Sequence, residues 1–492
     1  MVSKEKISFL GLDGLPPSLL IKATKKLNLK NLKYLISKGK LFPLYSMPPI
    51  TPVAWTSIAT GVNPAKHGIW GFTKYYKGKM GEDYSRPYVS SDITFPRVFE
   101  DMAYKGLEVT LINYPLTWPI KSICCKDKMH IIGDTFLGPE VEFFPNSLIQ
   151  DFKEYFKTPS EINDPYQRTI MLIEGSIKAI NSIESDAYFI VLPFPDQAFH
   201  KYPYEVLNVK EKSAKVWYEI DNLASELIKK TNKFVLVSDH GVGTYKTCVN
   251  ILPPLMNEFH VYLPKTFKGK ILFSLKNMLD EISLILPPRL SPRQLLTKDF
   301  AKNIIENLSK EIFKHGSKPG TLNDNLLTLS KPGTLNDSPF TYDDHGGLSM
   351  ARIIYFKNED FREKGLKSLV GDKISNYIKI YKLEERFKGK YLPDYPSLFL
   401  ESIDEEKYHI IVTRSLARLI HDPYPDHKVI GTMLIFGEDI IKNNANLYDV
   451  TPTLLSLVGL PIPKEADSDG VVNKKGEFPY SIAIKMKSLM KS

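Results

Sequence analysis

Residues 234–241 read FVLVSDHG: a short apolar run that ends abruptly in serine, aspartate, histidine and glycine. A run this short, bounded by turn formers, predicts a strand buried on both faces. Two other stretches repeat the pattern, ISFLGLDG ending at Asp13 and AYFIVLPFPD ending at Asp196. Ligands of open α/β sheets sit beyond the carboxyl ends of parallel strands, so parallel pairing would bring Asp13, Asp196 and Asp239 to one rim. Like charges held together there call for a compensating cation. His200 follows Asp196 by four residues and His240 follows Asp239 directly. Mixed Asp/His sets are what zinc and manganese accept. His427, in DHKVIG just before an apolar strand, can complete a set with Asp196 and His200. His421 and His345 are weaker candidates, and His67 reads as a residue that fixes a turn.

Outward from these strands, the first 250 residues alternate strand-like runs with amphipathic stretches, the pattern of a parallel sheet covered by helices. Val109–Ile112 is a further strand, and strand character returns at Ala351–Phe356, His409–Val412 and Thr432–Phe436. Between lie two amphipathic stretches, residues 268–288 and 299–316, each ended by Pro or Gly. SKPGTLND then occurs twice, at Ser317 and Ser330, and its turn-forming composition predicts an exposed loop. The expected organisation is a core formed by 1–255 and 401–492, interrupted at 256–400 by a largely helical cap whose duplicated loop spans about 317–338. Near the C-terminus, NLYDVTPTLLSLVGLPIP predicts a helix capped by Thr451 and closed by Gly459.

The bulk composition narrows the class. At 492 residues, with 43% hydrophobic and 11% aromatic residues, the chain is globular and longer than one core usually supports. Three cysteines, two of them adjacent, exclude a disulfide framework and suggest a reducing compartment. No uncharged run is long enough to span a membrane, and no signal segment opens the chain, so the expected location is the cytoplasm. Lys+Arg 65 against Asp+Glu 56 leaves a net +9, suited to an anionic small molecule and not calling for a stable nucleic-acid complex.

Residues 48–61, PPITPVAWTSIATG, hold four hydroxyls: Thr51, Thr56, Ser57 and Thr60. Composition alone makes them caps and turn residues. A metal-lined rim offers one of them another role, since a neighbouring cation activates a hydroxyl as nucleophile.

FLGLDG, TPVAWTSIATGVNPAKHGIWGF, PFPDQAFH, LVSDHG, DHKVIG and DVTPTLLSLVGLPIP occur in this order. As an ordered set they resemble the type I phosphodiesterase/nucleotide pyrophosphatase family of the alkaline phosphatase superfamily. The resemblance implies an alkaline-phosphatase-like α/β core with a mostly parallel sheet flanked by helices. It implies two divalent metal ions, zinc first and manganese second, one held by Asp196, His200 and His427 and the other by Asp13, Asp239 and His240. It places the nucleophile at Thr51 and leaves the other hydroxyls structural. Phosphodiester or pyrophosphate hydrolysis through a phosphorylated threonine is the implied reaction, on a small anionic phosphate ester such as a nucleotide. A phosphomonoesterase or another phosphoryl-transfer enzyme of the superfamily is the alternative, and a non-catalytic metal-stabilised binding protein is the third reading. Ala54 stands where family members that cleave nucleotide diesters commonly carry an asparagine. Ala54, Trp55 and Asn113 of NYPLTW are the candidates for facing substrate.

Overall fold

The protein is described from a computed structural model that covers residues 5–77, 84–135, 137–259, 339–342, 352–413, 417–421 and 423–478. Its centre is a nine-stranded sheet. In spatial order the strands are Ala445–Asn446, Lys40–Tyr45, Ile430–Phe436, Lys233–Val237, Ile7–Leu12, Ala187–Leu192, Val109–Ile112, Met129–Ile132 and Phe143–Phe144. The five strands from Lys233–Val237 to Met129–Ile132 run parallel, while Ile430–Phe436 and the edge strand Phe143–Phe144 run against them.

The strands read as unbroken apolar runs because both faces of the sheet are covered. Leu10, Leu12, Ile190 and Leu236 pack into one cluster, and their chain neighbours Phe9, Val191, Val235 and Val237 into the cluster on the opposite face. Helices Pro17–Leu27, Lys30–Lys38, Pro165–Ser182 and Glu211–Lys230 supply the first layer, and Thr51–Thr60, Val98–Tyr104 and Val450–Leu457 the second.

Register carries the three strand-end aspartates to the same rim. Leu12 pairs with Leu192 and Gly11 with Val237, so all three strands stop at one level. The ladder continues past the strand ends, Asp13 N–H donating to Leu192 O at 3.0 Å and Asp196 N–H to Asp13 O at 3.0 Å.

After His240 the chain leaves the sheet as Gly241–Tyr245 and returns as Tyr424–Lys428, the two forming an antiparallel ribbon with Val242 opposite His427. The return strand then enters the sheet as Ile430–Phe436, which explains its reversed direction. Residues 256–400, expected as a cap, lie within the segment this ribbon carries. Its described part adds strands to the expected cap, while the two stretches on which the helical expectation rests lie outside the described residues. It holds an antiparallel sheet in the order Phe340–Tyr342, Ile353–Phe356, Ser397–Ser402, Ile378–Lys382, beside helix Glu359–Gly371. Ile354 and Phe356 pack toward Leu252 and Leu255, whereas Ile353 and Tyr355 pack toward Ile50 and Val53 of the core. With both faces of Ile353–Phe356 buried, its sequence is an apolar run without alternation. The two amphipathic stretches, the duplicated loop and His345 lie outside the described residues.

The C-terminal helix starts earlier than expected, at Val450. Thr451 is therefore inside it and does not cap it. Its hydroxyl donates to Ile58 O at 2.7 Å and ties this helix to Thr51–Thr60.

Candidate bimetallic active site

Every residue of the Thr51–Thr60 helix is buried. Thr56 Oγ1 donates to Pro52 O at 2.6 Å and Thr60 Oγ1 to Thr56 O at 2.7 Å, the back-bonding that satisfies a hydroxyl inside a helix. Ser57 Oγ lies 3.0 Å from His67 Nε2. Ile69 N–H donates to His67 Nδ1 at 3.1 Å, so the ring proton is on Nε2 and is given to Ser57. Burial lowers His67 to about 3, which keeps this imidazole neutral. Thr51 differs from the other three. Its Oγ1 faces away from the helix, 3.4 Å from His240 Nε2.

The Ser57–His67 tie fixes that helix to the turn after it. His67→Ala strands two buried groups, Ser57 Oγ and Ile69 N–H, each worth about 1–3 kcal/mol. The expected result in thermal unfolding is a clear loss for His67→Ala, a smaller one for Ser57→Ala, and a double variant less destabilised than their sum. Additive losses would mean the two side chains do not act together.

Around Thr51 the strand ends gather Asp13, Asp196 and Asp239 with His200, His240 and His427. His240 Nε2 is 3.5 Å from Asp13 Oδ1 and 3.3 Å from Asp239 Oδ2. His427 Nε2 is 3.2 Å from Asp196 Oδ1, and His200 Nε2 is 3.2 Å from Asp196 Oδ2. The His240 and His427 rings stack at 3.9 Å between centroids. Backbone carbonyls orient both rings: His240 Nδ1 lies 3.0 Å from Gly241 O, and His427 Nδ1 lies 3.1 Å from Pro49 O. With each Nδ1–H given to a carbonyl, each Nε2 is turned inward, the arrangement that prepares an imidazole for a metal.

Electrostatics ask for positive charge here. Burial, and then the charge of Asp196, pushes the Asp13 carboxyl well above the usual range. Burial, then Asp13 and Asp196, does the same to Asp239. Burial also opposes ionisation of Asp196, but His200 and His427 outweigh it and hold this carboxyl well below its ordinary value. Burial lowers His427 while Asp196 raises it more, to about 9; burial and the charge on His427 bring His240 to about 3. Asp13 Oδ1, Asp196 Oδ1 and Asp239 Oδ2 are fully buried and make no hydrogen bond. Three orphaned carboxylate oxygens facing imidazole nitrogens fit divalent cations and little else. Two donor groups are close enough to hold an ion each, Asp196 with His240 and His427, and Asp13 with Asp239 and His240. His200 stands at the outer edge of the first, its side chain 31% exposed.

The three residues read as facing substrate are corrected by their surroundings. Ala54 and Trp55 are fully buried in the core, with Trp55 Nε1–H donating to Asp13 Oδ2 at 3.0 Å. Asn113 uses both ends of its amide internally, donating to Val191 O at 2.6 Å and accepting from Thr135 N–H at 2.7 Å. His421 lies in another part of the fold, 3.1 Å from Thr247 Oγ1.

Residues not singled out from the sequence also support the site. Asp426 Oδ1 accepts the His427 N–H at 2.7 Å, and its Oδ2 lies 2.8 Å from His409 Nε2. Burial works against the Asp426 charge, but His409 outweighs it and keeps the carboxyl well below its usual range. Tyr245 donates its hydroxyl to His427 O at 2.8 Å and stacks on His409. Asp426 was visible beside His427 in DHKVIG; His409, inside an apolar strand, gave no signal.

A family model described as type I phosphodiesterase / nucleotide pyrophosphatase matches residues 8–280, more than half of the chain. The chain belongs to this family. Its members are hydrolases of phosphate esters, and the family is metal-dependent. The matched span includes Asp13, Thr51, Asp196, His200, Asp239 and His240. No curated protein matches the sequence. Among solved structures, phosphonoacetate hydrolase from Sinorhizobium meliloti 1021 is similar at 16% identity and a TM-score of 0.55, over 91% of this chain and 94% of that one. Murine ectonucleotide pyrophosphatase / phosphodiesterase 5 has 14% identity and a TM-score of 0.49, over 96% and 97%. The first of these likenesses supports the alkaline-phosphatase-like fold of the family.

Proposed function

We propose that this member hydrolyses a phosphodiester or pyrophosphate bond in a small anionic substrate, a nucleotide being the first candidate, through a phosphorylated Thr51. The reading is carried by the three orphaned carboxylate oxygens converging beside the Thr51 hydroxyl, which at a helix start meets His240 Nε2 and no helix carbonyl. Asp196, His200 and His427 would hold one cation, and Asp13, Asp239 and His240 the other. Zinc suits these mixed donors best, with manganese second. Bound divalent cations would make the hydroxyl a nucleophile at neutral pH and offset negative charge on the phosphoryl group.

Thr51 Oγ1 forms the bond to phosphorus while the bond to the leaving oxygen breaks. Water then cleaves the Thr51 ester and restores the hydroxyl. The helix start directs its partial positive charge at the phosphoryl group. Pro52 has no N–H to offer, so the first helical amide beyond the nucleophile is that of Val53. The ribbon-borne segment, residues 256–400 included, is the cap that selects the leaving group. No described helix is long and apolar enough to cross a membrane, and the cytoplasm is the setting we propose from the cysteine usage of the sequence.

The test compares bis-p-nitrophenyl and mono-p-nitrophenyl phosphate on protein dialysed against chelator and then given zinc or manganese. Turnover of the diester that vanishes on dialysis and returns with metal is expected. Preference for the monoester would move the reading to a phosphomonoesterase. Stoichiometric metal without turnover of either ester would leave a binding protein.

A further inference from the structure

We propose that Trp55 is a positioning residue for Asp13, engaging one carboxylate oxygen so that the other is presented to the cation. This rests on the two-cation reading above. Phe9, Gly11 and Asp13 occupy alternate positions along one strand and its continuation, and so share a face. Thr51 and Trp55 are four apart in one helix and share a face too. The fold lays the second face on the first. The indole stands edge-on to Phe9, with ring centroids 6.3 Å apart, passes over Gly11, and reaches Asp13 Oδ2 with Nε1 at 3.0 Å.

Gly11 makes room for this path, since a Cβ there would lie 2.6 Å from Trp55 Cη2. Tyr114 closes the far side, its ring 5.7 Å from the indole and its hydroxyl donating to Trp55 O at 3.0 Å. Packing alone does not account for the aim of the N–H. Trp217 is equally buried, and its Nε1 makes no hydrogen bond. At Trp55 the donor meets a charged acceptor, the stronger kind of bond. Asp13 is left with one oxygen, Oδ1, which makes no hydrogen bond and lies 3.5 Å from His240 Nε2. Thr51 Oγ1 is 3.4 Å from that same nitrogen. One helix face therefore sets both the hydroxyl and a carboxylate ligand.

The experiment titrates the metal-free full chain with zinc against a chromophoric chelator and resolves two affinities. The phase belonging to Asp13 and His240 is identified by its loss in Asp239→Asn. In Trp55→Phe that phase is expected to weaken about 10–100-fold, the cost of an outer partner, while the other phase holds. Incorporating 3-benzothienylalanine at position 55 keeps the bicyclic ring without its N–H, and the same selective weakening of that phase is expected. Wild-type affinity at both phases in the benzothienyl protein, or equal weakening of both in either variant, would overturn the inference. A wild-type chain that binds no zinc would instead remove the two-cation reading on which it stands.

Discussion

Thr51→Ala should lower turnover of bis-p-nitrophenyl phosphate by about a thousandfold or more, because losing a nucleophile removes the covalent route entirely. Zinc binding should survive, since the six proposed donors are untouched. Three other hydroxyls in the same helix are engaged with Pro52 O, His67 and Thr56 O, so none is free to substitute. Thr51→Ser should retain part of the rate, as the oxygen is kept. Acid quenching during turnover, followed by peptide mass analysis, should find a phosphoryl adduct on the Thr51 peptide of the wild type and none in the alanine variant. Wild-type turnover by Thr51→Ala would sink the covalent mechanism while leaving the metal site intact.

His240→Ala should have the broadest effect on metal. Its Nε2 lies within reach of both donor groups, and its ring stacks on His427. Removing it should weaken the ion of Asp13 and Asp239 by more than about 100-fold, beyond the usual cost of losing an outer partner, weaken the other ion less through the unstacked His427, and take turnover with them. His200→Ala should be milder and confined to one ion, because His200 approaches only Asp196 and His427 at the exposed edge. Zinc stoichiometry measured after gel filtration separates the two cases. Retention of both ions by His240→Ala would mean that the donor groups are assembled some other way.

Much of this site is legible in the sequence because its donors sit at strand ends, where a buried apolar run stops at a charged residue with no structural need for it. Asp13, Asp196 and Asp239 carry that signal, and register alone brings them together. The partners of those donors are less legible. Nothing in TPVAW says that the indole of Trp55 meets a carboxylate, since that depends on Gly11 leaving space in the strand that ends at Asp13, 42 residues before Trp55. Asn113 looks available in NYPLTW, yet the backbone groups of Val191 and Thr135 consume its amide. Of the cap sheet, only the fully buried run at Ile353–Phe356 stood out; Ile378–Lys382, IKIYK, is short and largely half-exposed, and the pairing that makes it a strand comes from Ser397–Ser402. Thr451 looked like a cap because Pro follows it, whereas Asn446 and Asp449 organise the turn before that helix.

The ribbon of Gly241–Tyr245 and Tyr424–Lys428 gives the polypeptide the form of a sentence with a long parenthesis. Tyr245 and Tyr424 stand directly opposite each other in its last register pair, a separation that a two-residue hairpin turn spans. Everything between them stands grammatically outside the main clause, to which the central sheet, the three site imidazoles and Thr51 belong. Thermodynamically it is not optional, because Ile50 and Val53, on either side of Thr51 and Pro52, pack against Tyr355 and Phe399 of the inserted text. The words of that text that touch the nucleophile's neighbours, Tyr355 and Phe399 among them, must therefore keep their apolar meaning.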